Sequence, residues 1–181
     1  MAKVIVWTDV ESTGTSSDVD ALLEVAVVVT DFQGKPLLEP YNSLVTVKNL
    51  REIMTDADGP VKTMHERSGL WNDLWNLQTK SPELIDQELE AKISSLGEGH
   101  LFLLGGNSPW LDRRFTELYL PRFYRLISHM TVDVTTLSLV LQDRAGAPMF
   151  LKGGSHRALA DVWDSIEEYK HYLSCLEQEK N

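Results

Sequence analysis

Apolar and polar positions divide the chain into three strand-like runs, a long helical stretch, and then short strands alternating with helices. Val4-Ile5-Val6-Trp7 is an unbroken apolar run that predicts a buried central strand. It leads into two carboxylates one residue apart, Asp9 and Glu11. Alternate strand residues share a face, so both acids can address one target if the strand extends that far. Residues 21–30 form a second apolar, β-branched run, interrupted by Glu24. That carboxylate either finds a backbone or hydroxyl partner or lies near the target of Asp9 and Glu11. A turn at residues 31–36 and an alternating run at 41–47 complete a predicted antiparallel meander.

From Leu50 to about Leu96 the period is helical, punctuated by Asp58-Gly59-Pro60. Ser81 and Pro82 predict an N-cap and first helical position, followed by an apolar stripe of Leu84, Ile85, Leu89, Ile93 and Leu96. Residues 101–104 predict a short buried strand, and Gly105-Gly106-Asn107-Ser108 a glycine-rich turn. A helix then opens near Pro109, with Asp112 in its first turn. Residues 131–134 predict a fifth strand, with Thr135 or Thr136 capping a helix through Leu141. A loop over residues 143–154 precedes the last helix, about Ser155 to Glu177, whose stripe is Leu159, Val162, Trp163, Ile166, Tyr169, Leu173 and Leu176. Asp161 lies off that stripe beside Ala158 and Ser165. The expected fold class is α/β: a mixed five-stranded sheet flanked by helices, in a single domain over 1–181.

With 181 residues, 43% hydrophobic and 24% charged, the chain has the make-up of a globular protein with a substantial core. No apolar run approaches a membrane span, and Met1-Ala2-Lys3 does not read as a signal peptide. One cysteine, Cys175, excludes an intramolecular disulfide and a cysteine metal cage, and suits a cytoplasmic location. A net charge of −10 argues against a protein that coats nucleic acid by neutralising phosphates. It leaves room for an enzyme that meets a few phosphates through bound cations.

The candidate chemistry follows from the acids. Carboxylates converging at a strand end repel one another unless protons or a hard divalent cation neutralise them. Asp9, Glu11, Asp112 and Asp161, with His156 five residues before Asp161, stand out as a set. Singly, each has an ordinary reading: a solvated strand end, a dipole-favoured helix start, a surface acid, a loop imidazole. Asp133 reads as a strand-end acid bracing the next helix. His100, His129 and His171 read as surface or core residues.

These segments, Asp9-Val10-Glu11-Ser12-Thr13-Gly14, Asn107-Ser108-Pro109-Trp110-Leu111-Asp112 and His156-Arg157-Ala158-Leu159-Ala160-Asp161, resemble the DEDDh group of 3′–5′ exonucleases, and within it the oligoribonucleases. The likeness runs nearly end to end, taking in Leu23-Glu24-Val25-Ala26, His65 with Ser68-Gly69-Leu70, and residues 132–137. The resemblance implies a ribonuclease H-like fold and two Mg²⁺ or Mn²⁺ ions per active site, held by Asp9, Glu11, Asp112 and Asp161. It implies that His156 takes the proton of the attacking water. It also implies short single-stranded oligonucleotides, RNA and possibly DNA, as partners, a homodimer, and substrate contacts from His65, Asn107, Ser108, Thr135 and Thr136.

The physical logic is independent of kinship. Two cations roughly 4 Å apart stabilise both the attacking and the leaving oxygen of a phosphodiester, and an imidazole accepts a proton near neutrality. The chain departs from the family pattern in two places: Thr15 stands where a base-wedging leucine is usual, and Met130-Thr131 replace an Arg/Tyr pairing. They leave the chemistry intact and put strict dinucleotide preference in question. An exonuclease acting mainly on single-stranded DNA and a catalytically idle nucleic-acid-binding module are the alternatives. The aromatics at Trp71, Trp75, Tyr119 and Tyr124 fit either an interface or the core.

Overall fold

A computed structural model describes residues 1–57 and 59–178. Asp58, part of the Asp58-Gly59-Pro60 punctuation, and the last three residues lie outside it. The chain opens with β1 (Ala2–Ser12), β2 (Leu22–Thr30) and β3 (Tyr41–Leu44), the antiparallel meander expected from the pattern. Three short helices follow, α1 (Leu50–Asp56), α2 (Gly59–Arg67) and α3 (Leu70–Asn76), and then α4 (Pro82–Ser94). The remainder alternates: β4 (His100–Gly106), α5 (Trp110–Tyr119), α6 (Pro121–Leu126), β5 (Ile127–Asp133), α7 (Val134–Ala145) and α8 (Ala158–Gln178). The sheet order is β3-β2-β1-β4-β5, with β4 and β5 parallel to β1, so the sheet is mixed and β1 is central.

Strand alternation sorts the two faces. Val4, Val6 and Val10 of β1, with Val25, Val27 and Val29 of β2, pack against Ile85, Leu89 and Ile93 of α4, Phe115 of α5 and Phe123 of α6. Ile5 and Trp7, with Ala26 and Val28, pack against Val134 and Leu141 of α7 and Val162, Ile166, Tyr169 and Tyr172 of α8. Trp7 is fully buried and donates its indole N–H to Thr30 Oγ1 at 2.8 Å. A Cβ on Gly105 would stand 2.5 Å from an Ile5 methyl and 2.9 Å from the Trp7 ring. Glycine is therefore what lets β4 lie against β1 here. Leu23, Leu44, Leu70, Trp71 and Leu74 make a smaller core beneath α1–α3.

Several details differ from the sequence expectation. Leu84 is exposed, because Ile85, Leu89 and Ile93, at a spacing of four, are the helix positions that face the sheet, with Leu96 packed against the same core. Gly105 and Gly106 close β4 instead of forming a turn. Asp133, not Thr135 or Thr136, caps α7, accepting from Thr135 N; this matches the bracing role read for it. Helix α7 runs on to Ala145, and α8 starts at Ala158, three residues later than its pattern suggested. Trp71 is core and Trp75 exposed. Among the described residues, no helix is long and apolar enough to cross a membrane.

Candidate active site

The site lies where β1 outruns its neighbour. Pairing of β1 with β4 ends at Trp7–Gly105, while pairing with β2 continues through Asp9–Ala26, Val10–Val25 and Glu11–Glu24. Asp9 and Glu11 therefore project beyond the packed sheet on the face that carries Ile5 and Trp7, the face covered by α8. The Val10 N–H, with no β4 carbonyl to meet, donates to Asp112 Oδ1 at 3.0 Å. That bond fixes the start of α5 against the strand end. Asp161, in the first turn of α8, approaches from the other side, its Oδ1 accepting from Ser155 Oγ at 3.1 Å.

Asp9, Glu11 and Asp161 each offer a carboxylate oxygen, and these lie within 4.8 Å of one another. Such a cluster could hold a hard divalent cation. Asp112 is not in that closest group, but its charge, after burial, is the largest influence raising the Asp9 carboxyl. Burial and then the charges of Asp161, Glu24 and Asp112 push Glu11 up to about 8, against a smaller lowering by Arg157. Burial pushes Asp112 up to about 7 despite its backbone bonds, and raises Asp161 as well. Four carboxyls all driven toward protonation mark a site whose negative charge is uncompensated by the protein's own cations.

His156 stands in the loop ahead of α8 with φ 51, a left-handed backbone unusual outside glycine. It is exposed and borders a cleft of about 420 Å³ with Gly59, Pro60, Thr63, Met64 and Arg67 of α2. It lies near enough to Asp161 to oppose the raising of that carboxyl, after burial and the Ser155 bond.

The remaining candidates separate into two groups. Ser108, Thr135 and Thr136 converge on Asp133. Ser108 N and Thr135 N both donate to Asp133 Oδ1 at 3.0 Å, Thr136 Oγ1 donates to Oδ2 at 2.7 Å, and Ser108 Oγ donates to Thr135 Oγ1 at 3.1 Å. Asn107, by contrast, is absorbed in the framework: its Nδ2 donates to Glu168 Oε2 at 2.9 Å and its Oδ1 accepts from Ser165 Oγ at 2.7 Å. His65 is 0% exposed. Its Nε2 lies 2.9 Å from the Ser12 carbonyl, which fixes the proton on that nitrogen, and its ring stands edge-on to Trp71. Nδ1 faces Glu11 Oε2 at 3.8 Å and has no hydrogen-bond partner among the described residues. Burial lowers its pKa and holds it neutral. In this position His65 braces the strand end beside Glu11, and its ring has no open face for a phosphate.

The pattern did not disclose the group that anchors the histidine loop. Glu24, buried in β2, accepts from Arg157 Nε at 3.1 Å, Arg157 Nη2 at 3.2 Å and Ala158 N at 3.1 Å. An acid inside an apolar strand was the only available signal.

The fold of this mixed sheet is shared with solved structures of exonuclease I. It superposes on exonuclease I from Methylocaldum szegediense with a TM-score of 0.67 at 17% identity, covering 98% of this chain and 41% of that one. The E. coli exonuclease I complex with single-stranded DNA in its zinc-bound form gives 0.65 at 15% identity, covering 100% and 44%. This chain thus spans less than half the length of those structures, and the likeness is one of fold. No family model matches the sequence. Curated relatives do. The oligoribonuclease of Tropheryma whipplei (strain Twist) is 34% identical over 174 residues, 93% of this chain and 90% of the relative. That of Xanthomonas campestris pv. campestris (strain 8004) is 32% identical over 170 residues, 93% and 86%. That of Nitrosomonas europaea is 33% identical over 179 residues, 95% and 94%. The chain belongs to the oligoribonuclease family.

Proposed function

We propose that the protein is a metal-dependent 3′–5′ exonuclease that hydrolyses short single-stranded RNA to nucleoside 5′-monophosphates. The observation that carries this reading is the convergence of the Asp9, Glu11 and Asp161 oxygens within 4.8 Å, with Asp112 beside them. An all-carboxylate donor set with raised pKa values fits hard divalent cations, Mg²⁺ or Mn²⁺, and four acids supply enough charge for a pair. When bound, such ions polarise the scissile phosphate and steady the charge on the attacking and leaving oxygens.

The chain's own residues do the rest. Asp9, Glu11 and Asp161 would hold the ions, while Asp112 adds its charge and, through Val10, fixes the strand end. His156, on its exposed loop, accepts the proton of the water that attacks phosphorus. The bond from phosphorus to the 3′ oxygen breaks and that oxygen takes a proton from solvent, leaving a shortened chain with a free 3′ hydroxyl and a nucleoside 5′-monophosphate. The Ser108, Thr135 and Thr136 hydroxyls, grouped around Asp133, suit a terminal phosphate. Homodimerisation is part of the proposal, by kinship with the oligoribonucleases.

The test is a length series of 5′-labelled RNA with Mg²⁺ or Mn²⁺, run beside His156→Ala. Stepwise shortening from the 3′ end by the wild type alone supports the reading. One observation favours a second reading, preference for single-stranded DNA: Thr15 and Met130-Thr131 replace residues that grip a ribodinucleotide in the family pattern. Matched DNA oligomers in the same series decide between them.

A further inference from the structure

The cleft beside His156 contains a cation that the proposed hydrolysis does not use. Gly59, Thr63 and Arg67 recur at intervals of four along α2, and this face, with Pro60 and Met64, forms the wall opposite His156. Arg67, in the last turn of α2, is exposed and makes no hydrogen bond or ion pair among the described residues.

Arg157, next to His156 in the chain, is by contrast already bound to Glu24 and Asp73. An unpaired guanidinium lining the same cleft as the exposed imidazole is complementary to a phosphodiester backbone. The cleft volume, about 420 Å³, admits a nucleotide.

We propose that this cleft is a phosphate subsite for the bound oligonucleotide and that Arg67 is its phosphate-binding residue. The proposal rests on the reading of the protein as a nuclease and adds a specificity-determining residue to it.

The experiment measures binding and turnover separately. Affinity for a 5′-fluorescein pentanucleotide is followed by anisotropy in a His156→Ala background with Mn²⁺, across a salt series. KM and kcat are measured with His156 intact. Arg67→Ala should weaken binding and raise KM about tenfold, the loss of one charge-assisted contact, with kcat little changed. It should also flatten the slope of log affinity against log salt by about 0.7, one single-strand phosphate contact. Arg67→Lys should recover part of both. Arg51→Ala, which removes an equal charge outside the cleft, should change neither. Equal behaviour of Arg67→Ala and the parent, or of Arg67→Ala and Arg51→Ala, overturns the subsite. If the wild type binds with the Arg67-dependent slope but releases no monophosphates, the subsite stands and the hydrolytic reading fails.

Discussion

Glu24 and Arg157, 133 positions apart, form a two-pronged ion pair that ties the loop carrying His156 to the second strand. Arg157 also reaches Asp73 Oδ2 at 2.7 Å, and Glu24 accepts the Ala158 N–H, so one buried carboxylate sets where α8 begins. Arg157→Ala strands a carboxylate that is 1% exposed and removes the cation that lowers Glu11. The expected loss is about 3 kcal/mol of stability, at the low end for a broken buried pair because Arg157 is partly exposed. Urea denaturation measures it. A fall in kcat should accompany it as the His156 loop loosens.

Asp112 has two separable duties. Its Oδ1 accepts the Val10 N–H, and its charge adds to the acid cluster. Asp112→Asn keeps an acceptor and should leave the melting temperature near wild type while lowering Mn²⁺-dependent kcat by about 10² or more. Asp112→Ala should lower both, losing a further 1–3 kcal/mol from the orphaned N–H. Thermal melts and single-turnover rates distinguish the variants.

The acid cluster also fixes the pH dependence of stability. Glu11 is pushed up to about 8 and Asp112 to about 7, with Asp9 and Asp161 raised too. Between the ordinary carboxylate range and those values, the folded state binds protons that the unfolded chain has released. The cluster's contribution to stability therefore falls as pH rises from about 4 toward 8. In EDTA the melting temperature should drop across that window, and excess Mn²⁺ should offset most of the drop at pH 8. A flat profile in EDTA would contradict the clustering.

His156→Ala should lower kcat by roughly 10² to 10⁴ with little change in stability, since the ring is exposed and outside all three core clusters. Quench-flow rates at saturating substrate, alongside melts, separate the two effects.

Much of this was legible in the residues. The apolar runs of β1 and β2 fix the meander, and the spacing of Asp9 and Glu11 puts them on one face. The place of Asp112 in a first turn also followed from local signals. What was hidden depends on distant partners. The start of α8 at Ala158 is set by Glu24, 134 positions earlier, and no local cap announces it. The burial of His65 depends on Trp71 and the Ser12 carbonyl, which tertiary folding alone brings together. The bracing of α7 by Asp133 was legible, but the contact of the same carboxylate with Ser108 N across the strand ends was not.

We propose that Asp9, Glu11, Asp112, Asp161 and His156 form one cation-dependent hydrolytic site. Its most direct test is digestion of a 5′-labelled short RNA in Mn²⁺ by the wild type and by Asp9→Ala. Stepwise 3′ shortening with release of nucleoside 5′-monophosphates, abolished by EDTA and by Asp9→Ala, is the predicted result. Full activity of Asp9→Ala, or undiminished activity in EDTA, would contradict it.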